Sequence, residues 1–186
     1  TVVTLHPGDY FVATQGELIG TVLGSCVSAC VRDRRLGIGG MNHFMLPADH
    51  SDGTGPWASA GTRFGNVAME RLINDILKLG GERRELEVKL VGGGKVLDAM
   101  TDIGSNNVQF VRDYVAAEGF RIVGEDLGDV YPRKVLYDPA TGGARVKKLA
   151  RGRSRVVAEE SRYRSDIEHQ PVGGEVELFF GEIELF

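Results

Sequence analysis

The 186-residue chain carries 42% hydrophobic and 26% charged residues and a formal net charge of −4, the balance of a soluble globular protein with room for one domain and its own core. The acidic balance argues against a general nucleic-acid binder, whose affinity for phosphates needs a positive surface. No apolar run reaches the roughly 18 residues of a membrane span, and the opening "TVVTLHPGDY" lacks the basic-then-apolar order of a signal peptide, so the expectation is a cytoplasmic protein without membrane insertion.

In chain order, "DYFVAT" and "ELIGTVLG" read as short strands separated by the turn at Gln15-Gly16. "CVSACVRD" and "RRLGIGGMNHFMLP" are two further extended segments, the second ended by Pro47. The polar, glycine-rich "ADHSDGTGPWASAGTRFG", which holds His50 and Trp57, reads as a loop of functional length. The period then changes from two to 3.6. Val67, Met69, Leu72, Ile73, Ile76, Leu77 and Leu79 share one face, and Gly80-Gly81 supplies a stop, which predicts a helix over 65–79. "LEVKLV" is a strand ended by Gly92-Gly93-Gly94, and "KVLDAM" is compatible with a short helix. A second long helix is predicted over 105–118, with Ser105 or Asn106 as N-cap and Gly119 as its stop. "FRIVGEDL" and the pair within "RKVLYDPATGGARVKKL", joined by "DPATGG", complete the strands. The order predicts an α+β fold, a layered α/β/β sandwich with mixed sheets and helices on one side. The tail "GEVELFFGEIELF" alternates acidic and apolar residues, as an edge strand or a partner-binding strand would, and a local hairpin packed on its own domain is the plainer reading.

The chemistry concentrates at "GTVLGSCVSAC". Cys26 and Cys30 stand four apart in an extended run, too far to bridge, and a reducing cytoplasm favours free thiols. The chain has no Cys-x-x-Cys pair and its histidines are scattered, so no metal and no cofactor are expected. "VGGGK" lacks the spacing of a phosphate loop, which leaves a turn or close backbone packing as its reading. If "CVSACVRD" and "LGIGGMNHF" form a hairpin centred between Arg34 and Arg35, Cys26 directly opposes His43 and Cys30 opposes Gly39. An imidazole beside a thiol is the minimum machine of a thiol hydrolase, because the thiolate is the nucleophile. A small buried hydrophobic residue is the competing reading of Cys26, and the stronger reading of Cys30.

At these residues the chain resembles the CheD family of chemoreceptor glutamine deamidases. "LGSCVSACVRD" and "GMNHFMLP" look like its two signature blocks, with support from "HPGDY", "FGNVAMERLI", "KLVGGG", "IGSNNVQFV" and "DLGDVYPRKVLYDPATGG". Departures are Gly94 in place of a common alanine, Asn106 in place of the usual arginine and Asp129 in place of a glycine. The resemblance covers about residues 5–149, so residues 1–149 are expected to form the CheD-like cysteine amidase domain and residues 150–186 a C-terminal extension.

The resemblance implies that Cys26 is the nucleophile and His43 the base, with Thr21 as a third member that orients His43; a strand threonine is the plain alternative. It implies deamidation of glutamines on methyl-accepting chemotaxis receptors through a cysteine thioester, and a CheC-type phosphatase as a further partner. Two other functions stand beside it: a thiol hydrolase acting on another protein, and a non-catalytic adaptor for receptor or phosphatase.

Overall fold

The computed structural model describes residues 1–47, 60–96, 102–150 and 154–168. Its strands are β1 (Val2–Thr4), β2 (Tyr10–Ala13), β3 (Leu18–Leu23), β4 (Val27–Asp33), β5 (Ile38–Asn42), β6 (Leu86–Gly92), β7 (Arg121–Leu127), β8 (Arg133–Asp138) and β9 (Gly143–Lys148). Its α-helices are α1 (Ala60–Lys78), α2 (Ile103–Glu118) and α3 (Ser154–Glu168). One sheet has the order β1-β3-β8-β9 and the other β2-β5-β4-β6-β7. The β1–β3 and β6–β7 pairs are parallel and the remaining pairs antiparallel, so both sheets are mixed.

Strand alternation sorts the core into two layers. Val27, Ala29 and Val31 of β4 point to one side, where Val88 and Leu90 of β6 meet Met69, Leu72, Ile73 and Ile76 of α1 and Val111 and Val115 of α2. Cys26 and Cys30 face the other way, toward Ile19 and Leu23 of β3 and Val135 and Tyr137 of β8. The result is helices on a five-stranded sheet on a four-stranded sheet, the predicted α/β/β sandwich, with α1 and α2 on one side.

The helix stops behave as the glycines predict. Gly81 N–H donates to the Ile76 carbonyl and Gly80 N–H to Leu77, and Phe120 and Gly119 repeat the pattern on Val115 and Ala116. Each is a Schellman ending, in which glycine takes the positive φ of 99° at Gly80 and 72° at Gly119. The starts differ from expectation. α1 begins at Ala60, inside the stretch read as a loop, because "ASAGT" has no breaker strong enough to oppose the helix that follows. α2 is capped by Asp102, whose carboxylate accepts from Ser105 N–H, rather than by Ser105 or Asn106. Asp129 adopts φ of 64°, the left-handed conformation that favours glycine.

The hairpin register is the main correction. Cys30 pairs with Met41, not Gly39, and Asp33 pairs with Ile38. The Asp33 carboxylate sets this: Oδ1 accepts from Arg35 and Leu36 N–H and Oδ2 from Glu82 N–H, which fixes a loop over residues 34–37. The shift amounts to two residues, and a shift of two leaves every side chain on its expected face.

β1 and α3 were not expected from the sequence pattern. The segment "KVLDAM", apart from Lys95 and Val96, lies outside the described residues, as do His50, Trp57 and "GEVELFFGEIELF".

Candidate functional site

Cys26 lies just before β4 and His43 just after β5, flanking the isolated bridge between Val27 and Phe44. In the observed register they are diagonal neighbours on the same face rather than directly opposed. Diagonal pairs are separated by about 7–8 Å at the backbone, still within reach of longer side chains. The Cys26 Sγ and a ring nitrogen of His43 come within 4.8 Å of one another. Both residues are buried, and Cys30, also buried, lies further along β4 opposite Met41. Both cysteines are free thiols.

His43 is held at backbone and ring. Its N–H donates to the Asp9 carbonyl and its carbonyl accepts from Gly8 N–H, at 2.9 and 2.8 Å. At the ring, Nδ1 lies 2.8 Å from Thr21 Oγ1, and Thr21 Oγ1 also donates to the Leu5 carbonyl at 2.8 Å. A hydroxyl has one proton. With that proton on the Leu5 carbonyl, which can only accept, Thr21 Oγ1 accepts from Nδ1–H and the neutral ring carries its lone pair on Nε2. Nε2 is buried without a hydrogen-bond partner, so the basic nitrogen is the one left free. Thr21 belongs to β3 of the four-stranded sheet and His43 follows β5 of the five-stranded sheet, so this bond spans the two sheets.

The loop before Cys26 is shaped by glycine packing. Gly93 N–H donates to the Cys26 carbonyl and Gly94 N–H to the Gly24 carbonyl. Gly92 has φ of 109°, and a Cβ there would fall 2.3 Å from the Cys26 carbonyl oxygen. The "VGGGK" run is therefore close backbone packing against the cysteine loop. Asn107, fully buried on α2, clamps the same loop by donating to the Ser25 carbonyl while accepting from Leu46 N–H.

With their carbonyls turned inward, Gly24, Ser25 and Cys26 aim their N–H groups to one point. A carboxylate sits there: Glu160 of α3, 1% exposed. Its Oε1 accepts from Gly24 N–H at 2.7 Å and Cys26 N–H at 3.1 Å. Its Oε2 accepts from Ser25 N–H at 2.7 Å and Ser25 Oγ–H at 2.6 Å. Such a cradle of backbone donors beside a thiol is able to hold an oxyanion.

Electrostatically the pair is neutral in this arrangement. Burial, then the charge and hydrogen bonding of Glu160, push the Cys26 thiol well above its ordinary range. Burial, with a small contribution from the charge of His6, lowers His43 to about 3. Cys26, His43 and Glu160 each offer one potential metal-ligand atom within 4.8 Å of the others. The thiolate, imidazole and carboxylate types suit zinc, but the Glu160 oxygens are already engaged by four donors, the pattern of a hydrogen-bonded carboxylate.

Thr21, Cys26 and His43 are thus brought together, and Glu160 joins them from α3, a residue that the sequence reading did not name. The signal was present: Val156, Glu160, Tyr163 and Ile167 follow a helical spacing that makes one stripe, and an acidic residue within it is anomalous unless paired.

A buried thiol, an imidazole with its Nδ1 on a hydroxyl and a convergent set of backbone donors thus stand together on an α/β/β sandwich. The family model described as CheD chemotactic sensory transduction matches residues 45–148. A protein of Halorhodospira halophila named "Probable chemoreceptor glutamine deamidase CheD" is 56% identical over 177 residues, covering 93% of this chain and 82% of its own. Proteins of the same name from Hahella chejuensis and Hydrogenovibrio crunogenus are 51% and 50% identical, covering 94% and 96% of this chain and 83% and 94% of theirs. The chain belongs to the CheD family. Aligned spans of that length include residues 26 and 43, which the family-model match does not reach.

Proposed function

We propose that the protein deamidates specific glutamines of chemotaxis receptors to glutamate, with Cys26 as nucleophile, His43 as acid and base and Thr21 as the positioning residue for His43. The observation that carries this reading is the Thr21–His43 hydrogen bond, which leaves Nε2 unprotonated on the histidine beside the Cys26 sulfur.

His43 Nε2 takes the Cys26 proton as sulfur attacks the carboxamide carbon. The carboxamide oxygen becomes an oxyanion and is held by the N–H groups of Gly24, Ser25 and Cys26. The C–N bond breaks as Nε2–H protonates the departing ammonia, leaving a thioester on Cys26. Water then gives a proton to Nε2 and adds to the thioester; the C–S bond breaks, the thiol recovers its proton, and glutamate is released. Every atom needed comes from substrate, water and these side chains.

The names of the relatives support the choice of chemoreceptors as substrate. Modification of receptor cytoplasmic regions requires the protein to work in the cytoplasm. No described helix is long and apolar enough to cross a membrane. A CheC-type phosphatase is the further partner that the family resemblance implies.

The test is to incubate a chemoreceptor cytoplasmic fragment with the protein and map its peptides by mass. The expected result is a gain of about 1 Da at defined glutamines with one ammonia released per site, abolished in Cys26→Ala and His43→Ala. A fragment that is bound but keeps its mass would make the protein an adaptor.

A further inference from the structure

The carboxylate in the cradle is chemically the product of the proposed reaction: a glutamate side chain, presented by a helix, beside the cysteine sulfur. We propose that α3 is a built-in occupant of the substrate seat, holding Glu160 as an intramolecular product mimic that must leave before a receptor glutamine can enter. This rests on the reading of Cys26 as nucleophile.

Four observations converge. First, the same N–H groups that would receive the substrate oxygen are all engaged by Glu160. One cradle cannot hold two carboxyl groups. Second, Gly24 admits the carboxylate only because it lacks a side chain; a Cβ there would lie 2.8 Å from Glu160 Oε2. Third, α3 seats itself on the site through few apolar groups. Val156 and Ile167 are buried one turn before and two turns after Glu160, and Tyr163 lies against Gly8, beside the turn that holds the His43 backbone. Fourth, Tyr163 is packed here with its hydroxyl buried and without a hydrogen-bond partner. A contact that leaves a buried polar group unpaired is poorly optimised, as befits a helix that must lift.

In this state Cys26 is 0% exposed, so neither a receptor helix nor a small reagent reaches the sulfur while α3 is seated. The raised thiol and lowered imidazole belong to the covered form: lifting α3 removes the negative charge next to Cys26 and admits water to both groups. The occupant also shows how the seat is used. It takes a carboxyl-bearing side chain from one face of a helix, with apolar residues four before and three and seven after it.

The experiment uses the full chain and iodoacetamide as the probe, with Cys26 and Cys30 quantified separately by peptide mass. Glu160→Ala is expected to raise Cys26 alkylation at neutral pH by about tenfold or more, leaving Cys30 slow, because the accessible fraction of molecules sets the apparent rate. Acetylglutamate, a free carboxylate of product form, is expected to protect Cys26 in Glu160→Ala and not in the unaltered protein. If Glu160→Ala fails to fold, Tyr163→Ala, which loosens α3 without touching the cradle, is expected to give the same acceleration with smaller size. Unchanged Cys26 alkylation in a folded variant overturns the proposal. Deamidation of a receptor fragment is read in parallel and is expected to rise by about tenfold in Glu160→Ala. Faster alkylation with no deamidation by either protein would retain the occupant and refute the receptor reading; normal deamidation with unchanged alkylation would do the reverse.

Discussion

The Thr21 hydroxyl makes two hydrogen bonds with one oxygen, and its removal reports on the whole site. Thr21→Val keeps the shape of the side chain and its preference for a strand. It leaves the His43 Nδ1–H and the Leu5 carbonyl without the partner each has now. A buried polar group stripped of its partner costs about 1–3 kcal/mol, so with two such groups the variant is expected to lose about 2–6 kcal/mol of stability. For a chain of this size that corresponds to a fall in Tm of about 4–24 °C. The kinetic effect is separate. With no acceptor at Nδ1 the ring no longer favours the tautomer that bares Nε2, and deamidation is expected to fall by about 10²–10³-fold, less than when a charged orienting group is lost. Thr21→Ser restores the hydroxyl and is expected within about tenfold of the unaltered protein. The assays are thermal unfolding by circular dichroism and glutamine-to-glutamate conversion followed by mass, both at a temperature where each variant is folded. A folded Thr21→Val protein with undiminished turnover would refute the tautomer argument.

Cys26→Ala and His43→Ala are each expected to reduce deamidation by about 10⁴-fold or more, while Cys30→Ala, a core change on the same face, changes it by less than about tenfold; initial rates on a receptor fragment distinguish them. Gly92→Ala places a Cβ 2.3 Å from the Cys26 carbonyl at a φ of 109°, so both melting temperature and turnover are expected to drop, whereas a surface-tolerated alanine would leave them alone. The His43 value lowered to about 3 in the folded state, below the ordinary histidine value of about 6.5, has a definite sign: the unfolded chain binds the extra proton. Its contribution is complete above about pH 6.5 and is lost as pH falls toward 3, with a slope of up to about 1.4 kcal/mol per pH unit. Urea unfolding across that range is expected to show a shallower decline for His43→Asn than for the unaltered protein.

What was legible in the sequence follows from which interactions are local. The strands other than β1, the two long helices and their glycine stops are written in period and punctuation, since Met69, Leu72, Ile73 and Ile76 can share a face only on a helix. The pairing of Cys26 with His43 was legible to within one diagonal step. Sequence gives the face, because alternation is local, but the exact register depends on Asp33 binding Glu82 N–H from far along the chain. The N-cap of α2 was missed for a smaller reason: Asp102, Ser105 and Asn106 are all good caps, and only the backbone geometry at Asp102 decides among them. For Glu160 the sequence carries one clue, an acidic residue on an apolar helical stripe, and nothing of what it pairs with. Its partners are backbone groups more than 130 positions away, and backbone N–H groups carry no sequence signature.

The proposed chemistry requires a covalent acyl intermediate between Cys26 and a receptor glutamine. Acid quenching of the protein with a chemoreceptor fragment in early turnover, followed by peptide mapping, tests it most directly. The expected species is a receptor glutamine side chain joined through its acyl carbon to the Cys26 peptide as a hydroxylamine-labile thioester, absent in Cys26→Ala. An adduct on Cys30, or deamidation that persists undiminished in Cys26→Ala, would contradict it.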